Sequence, residues 1–107
     1  MELMDKAMTA CENFLMCKGY DIVGTFDDVV VVDTGEGIAV VKVIIVEDGF
    51  QDSISRSEAE GLMVKALIKF GITNVPVRFD DMQLLIVEGS RALMRYHTNV
   101  LGDSYDD

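Results

Sequence analysis

The sequence predicts an α/β domain in the order αβββαββ, its two helices placed to cover opposite faces of one mixed sheet. Three observations carry this. Two segments repeat apolar residues at helical spacing, five are short and rich in strand-forming residues, and glycine punctuates most of the junctions. A length of 107 residues suits one domain, and with half the residues apolar one core is within reach without staples.

Residues 2–18 read as the first helix, with Met4, Ala7, Met8, Cys11, Phe14 and Leu15 on one face and Gly19 as its stop. Tyr20 to Phe26 is the first expected strand, and Val29 to Val32, wholly β-branched, the second. Asp33-Thr34-Gly35-Glu36-Gly37 is turn punctuation, so the second and third strands form a hairpin. The third strand, Ile38 to Val46, is apolar on both faces except at Lys42, the pattern of a central strand covered on both sides. A polar loop is expected over 47–54. Ser55 with Glu58, and Ser57 with Glu60, then offer capping boxes for a second helix that runs to Phe70 and stops at Gly71. Val77 to Phe79 and Met82 to Val87 read as two strands or one bent strand entered from Pro76. After the turn at 88–90, residues 91–97 suit either helix or strand, and strand is the reading adopted. The domain is thus residues 1–101, with an acidic, disordered tail at 102–107.

Charge narrows the function classes. Nineteen acidic against nine Lys and Arg residues give a formal charge of -10, which weakens any affinity for nucleic acid or an anionic membrane surface. Cys11 and Cys17 stand six residues apart. That places them about 240° apart around a helix, unable to close a disulfide. A buried Cys11 and a partly buried Cys17 are expected. Acidic Glu2 and Asp5 occupy the place of a signal peptide's basic region, and no apolar run approaches a membrane span, so a reduced, cytoplasmic protein is expected. Lys65 with Lys69, and Arg91 with Arg95 and His97, read as solvated surface. The single histidine leaves no hydrolase triad to argue. Seven methionines read as soft core filler.

Lys42 is the most informative residue. It shares a strand face with Ile38, Val40 and Ile44, where a charged amine costs several kcal/mol unless it reaches water or a partner. Asp27, Asp28 and Asp33 on the neighbouring strand are the candidate partners.

Several words of the chain carry a family resemblance. They are Leu15-Met16-Cys17-Lys18-Gly19-Tyr20-Asp21-Ile22; Phe26 with Asp27 or Asp28, a valine strand, a glycine turn and Val40-Val41-Lys42; and Val77-Arg78-Phe79-Asp80, closed by Asn99-Val100-Leu101. In this order they resemble the YraN-type family of small putative endonucleases, which are similar to Holliday-junction resolvases. The resemblance implies a restriction-endonuclease-like, three-layer α/β/α fold. It also implies a nuclease-type site in which Asp and Glu hold Mg²⁺ or Mn²⁺ and Lys activates water. Asp27 or Asp28 stands at the Asp position, as metal ligand and catalytic group, and Lys42 at the Lys position. The Glu position is Val40, and the first helix has Met8 where the family usually has another Glu. The basic residues after the family's Lys, and its basic insertion before the Asp, are also missing.

Valine offers no oxygen to a hard cation. The resemblance therefore implies a catalytically degenerate endonuclease-like domain, kept as a nucleic-acid-related or regulatory binding module, with no cofactor. Two alternatives stand beside it. One is an active, Mg²⁺- or Mn²⁺-dependent endonuclease on branched or single-stranded DNA that recruits Glu36 or Asp80. The other is a protein-interaction or dimerisation domain with no nucleic-acid role.

Overall fold

The computed structural model describes residues 2–46, 54–87 and 91–101. The turn at 88–90, the expected tail and all but Ile54 of the expected polar loop lie outside them. The element order is α1 (Glu2–Cys17), β1 (Asp21–Phe26), β2 (Val29–Asp33), β3 (Ile38–Val46), α2 (Arg56–Phe70), β4 (Val77–Val87) and β5 (Arg91–His97). The strands form one five-stranded mixed sheet in the order β1-β2-β3-β4-β5. Every neighbouring pair is antiparallel except β3–β4, which is parallel and joined through α2. The αβββαββ order and the mixed sheet are as the sequence predicts, and residues 91–97 are strand.

Both helices end where glycine permits a left-handed residue. At Gly19 (φ 91°) the backbone N–H of Gly19 donates to Met16 at 2.9 Å and that of Tyr20 to Leu15 at 3.1 Å, a complete Schellman stop. At Gly71 (φ 63°) the N–H of Ile72 closes the same motif on Leu67 at 2.9 Å. Of the two possible capping serines, Ser55 acts, its hydroxyl accepting from Glu58 N–H at 3.2 Å.

The helices cover opposite faces. On the α1 face Ala7, Cys11 and Leu15 pack on Val30, Val32, Ala39, Val41, Val43, Met82 and Leu84. On the α2 face Ala59 and Ala66 pack with Phe26, Val29, Val31, Ile38, Val40 and Phe79. Strand β2 is buried on both sides from Val29 to Val32. Each such side chain contributes about 1.5–3 kcal/mol of burial, so this strand anchors both cores at once. Close packing demands glycine at Gly24, where a Cβ would meet the Phe70 ring at 2.4 Å, and at Gly37, where it would meet the Pro76 carbonyl oxygen at 2.5 Å. Met82 is fully buried and Met4, Met8 and Met63 pack against the cores, whereas Met16 and Met94 are exposed.

One open alternative is decided and one expectation is corrected. Of the two readings of 77–87, two strands or one, a single strand forms, in which Asp80 and Asp81 both find partners inside the fold. Cys17 is exposed where partial burial was expected, because the turn of the helix carries it away from the sheet that buries Cys11. Burial, and then the charge of Glu12, push the Cys11 thiol up to about 12. Among the described residues no helix is long and apolar enough to cross a membrane.

Candidate functional site

The register of the sheet assembles the site. Val29 pairs with Lys42, Lys42 with Asp81, and Asp81 with His97, a row across four strands on the α2 face. Successive side chains in such a row stand one strand spacing apart, about 4.8 Å. Asp28 joins the row from the turn just before Val29.

Asp28 is placed by a two-residue turn. Phe26 and Val29 are paired, and between them Asp27 takes the left-handed conformation at φ 50°, which Asp tolerates better than most residues. The Asp28 carbonyl accepts from Val43 N–H at 2.8 Å, holding the turn against β3 beside Lys42. Lys42 Nζ then donates to Asp28 Oδ2 at 2.6 Å, with side-chain exposures of 18% and 30%. This pair answers the cost of an amine on an apolar face.

The other two candidate partners are engaged elsewhere. Asp27 points outward to Lys65, whose Nζ lies 2.9 Å away, and that hydrogen bond and charge hold its carboxyl below the usual carboxylate range. Asp33 accepts from the N–H of Gly35 at 2.8 Å, closing the β2–β3 turn.

The carboxylates proposed to complete a metal site are not brought to Lys42. Val40 is fully buried in the α2-face core. Met8, at the position of the family's helix Glu, packs on the opposite face of the sheet. Glu36 sits in the β2–β3 turn and lines a recess of about 200 Å³ with Thr34, Pro76 and Arg78, among others; Lys42 is not among its lining residues. Asp80 shares the α1 face of β4 with Met82 and Leu84, away from Lys42. Among the described residues, no three His, Cys, Asp or Glu side chains gather as a metal-ligand group.

Asp80 instead anchors a buried polar network. Its carboxylate accepts Arg78 Nε at 3.1 and 3.2 Å, the Tyr96 hydroxyl, and the backbone N–H of Asn99 at 2.7 Å. Arg78 also donates from Nη2 to the Tyr20 hydroxyl at 3.2 Å. Burial works against the Arg78 charge, but the Tyr20 hydrogen bond and Asp80 outweigh it and raise its pKa. Burial first, then the hydrogen bond to Asp80, pushes the Tyr96 phenol well above its ordinary range.

Asp81 was not singled out in the sequence. It is fully buried, and its Oδ1 lies 3.1 Å from Nδ1 of His97. The signal that locates it is register, since Lys42 and His97 flank it only once β3, β4 and β5 are aligned.

Four of the basic residues are engaged within the chain. Lys42, Lys65 and Arg78 are ion-paired, and Lys18 lies 5.7–6.0 Å from the ring centroids of Phe14, Tyr20 and Tyr96. No protein-family model, curated protein or solved structure matches the chain.

Proposed function

We propose that this chain is a restriction-endonuclease-like domain of YraN type whose metal site has degenerated, retained as a nucleic-acid-related or regulatory binding module. One observation carries the reading. Lys42 and Asp28, at the Lys and Asp positions of the resemblance, are joined at 2.6 Å while the Glu position, Val40, is sealed in the core. In a metal nuclease the Asp oxygens face a cation and the Lys faces water. Here the two neutralise each other, which is what an amine and a carboxylate do on an apolar face once the cation is gone.

The deciding experiment is a nicking assay of the wild-type chain on branched and single-stranded DNA with Mg²⁺ or Mn²⁺, paired with calorimetric titration of both ions. The expected results are no cleavage and no binding below the millimolar range; metal-dependent cleavage overturns the proposal in favour of an active endonuclease. Salt-sensitive DNA binding without cleavage would support a nucleic-acid module directly.

A second reading, a protein-interaction domain, draws on exposed apolar residues. Leu93 and Met94 are exposed on edge strand β5, and Val64 and Ile68 on α2. Light scattering at two concentrations tests it, a stable dimer with no DNA binding being the outcome that favours this reading over the first.

A further inference from the structure

We propose that Asp81 and His97 form an oriented dyad in which Nε2 of His97 is a nucleophile toward small, uncharged activated acyl esters. The inference uses neither Lys42 nor Asp28 and does not depend on the endonuclease-like reading.

Orientation comes first. Asp81 and His97 are direct cross-strand partners, so the ring meets the carboxylate without reaching. Nδ1 of His97 lies 3.1 Å from Oδ1 of Asp81. With the carboxylate as acceptor, Nδ1 is the donor, and Nε2 is the nitrogen that acts as nucleophile in the proposal. The same contact stabilises the positive charge that develops on the ring when Nε2 attacks, the part a buried carboxylate plays in hydrolase triads.

Access comes second. Asp81 is fully buried, whereas the His97 side chain is 30% exposed, and β5 is the edge strand of the sheet. A buried carboxylate holding a partly exposed imidazole fixes the ring at its inner nitrogen and leaves the outer one for chemistry.

Charge selects the substrate class. The chain carries a net charge of -10, so its overall field repels a phosphodiester and does not repel an uncharged ester.

The step balances within the protein, ester and water. Nε2 bonds to the acyl carbon, and the bond from that carbon to the leaving oxygen breaks, releasing the alkoxide or phenolate. The Nδ1 proton stays on the hydrogen bond to Asp81. Water then adds to the acyl carbon and gives up one proton to the released alkoxide or phenolate, the carbon–nitrogen bond breaks with its electron pair returning to Nε2, and the carboxylic acid leaves. His97 is the catalytic residue and Asp81 the positioning residue.

His97 is the only histidine in the chain, so every imidazole signal reports on it. The test uses the full chain with diethyl pyrocarbonate as the acylating probe and p-nitrophenyl acetate as the ester. His97 is expected to react with both faster than N-acetylhistidine at the same pH. Asp81→Asn should slow both reactions at least about tenfold, as removing the carboxylate that orients a triad histidine slows acyl transfer. With the exposed thiol removed by Cys17→Ala in every chain compared, His97→Gln should remove the histidine share of each reaction. Circular dichroism checks that each variant is folded. Where Asp81→Asn does not fold, the tautomer of the wild-type ring decides, read from long-range proton–nitrogen correlations. A proton on Nδ1 and a bare Nε2 support the dyad. A proton on Nε2, or wild-type reactivity no greater than that of N-acetylhistidine, overturns it.

Discussion

Asp80 and Asp81 are consecutive residues of β4, both withdrawn from solvent, yet the pleat sends them to opposite faces and into opposite kinds of environment. On the α1 face Asp80 is closed in by Arg78, Tyr96 and the Asn99 backbone, with Tyr20 behind Arg78. On the α2 face Asp81 stands between Lys42 and His97 on the neighbouring strands. Burial does not separate the two cases, and neither does the exposure of the basic partner, for Arg78 keeps 29% of its side chain exposed and His97 30%. The chemistry of that partner does: a guanidinium offers only donors, whereas an imidazole has a second nitrogen that can accept.

The contrast can be broken most forcefully at Asp80. Asp80→Ala leaves the Arg78 guanidinium without its carboxylate and Tyr96 and Asn99 without an acceptor, and should cost about 3–5 kcal/mol in urea unfolding. A loss below about 1 kcal/mol would show that the α1 face is not held by this network. Tyr96→Phe removes a single donor to the buried carboxylate and should cost about 1–3 kcal/mol, read from the shift of the urea midpoint.

The same closed face should protect Cys11. A thiol reagent added to the native protein at pH 8 should modify one cysteine, the exposed Cys17, and a second only after unfolding. Because the folded Cys11 pKa is raised from 9.0 to about 12, the folded state holds its proton where the unfolded state has lost it. Stability is therefore intact below pH 9.0 and falls as the pH rises from there toward about 12, a slope that Cys11→Ala should flatten.

The α2-face row should respond weakly in stability. Lys42→Met frees an Asp28 that is already 30% exposed and can hydrate, so the expected change is within about 1 kcal/mol. The smallest effect belongs to the exposed pair Asp27–Lys65. Its lowered folded pKa contributes stability above the usual carboxylate value that is lost as the pH falls through the folded one, and Lys65→Ala should change only that acid limb.

Element order was legible in the sequence because local signals agreed with one another. Glycine stops, the Ser55 cap and valine runs all pointed the same way, and Lys42 stood out because a charge on an apolar strand needs a partner. The choice of Asp28 over Asp27 was not legible, since it depends on a turn in which one residue takes the left-handed conformation and turns its side chain outward. The middle of β4 stayed open between two strands and one for a related reason. Asp is disfavoured in strands, so two in succession leave continuity undecided. What keeps the strand intact are groups far away in sequence, Tyr96, His97 and Asn99, and no local window contains them. The Asp81–His97 contact was hidden for the same reason.

The one parallel pairing in the sheet also shapes how the chain reaches this state. Strands β1, β2 and β3 are joined by short turns, whereas the chain runs from Val46 through α2 to Val77 before β4 can pair with β3, a longer loop to close. Without β4, strand β3 would be an apolar edge with Lys42 its single charge. A lysine in that place is the kind of residue that discourages edge-to-edge pairing between molecules.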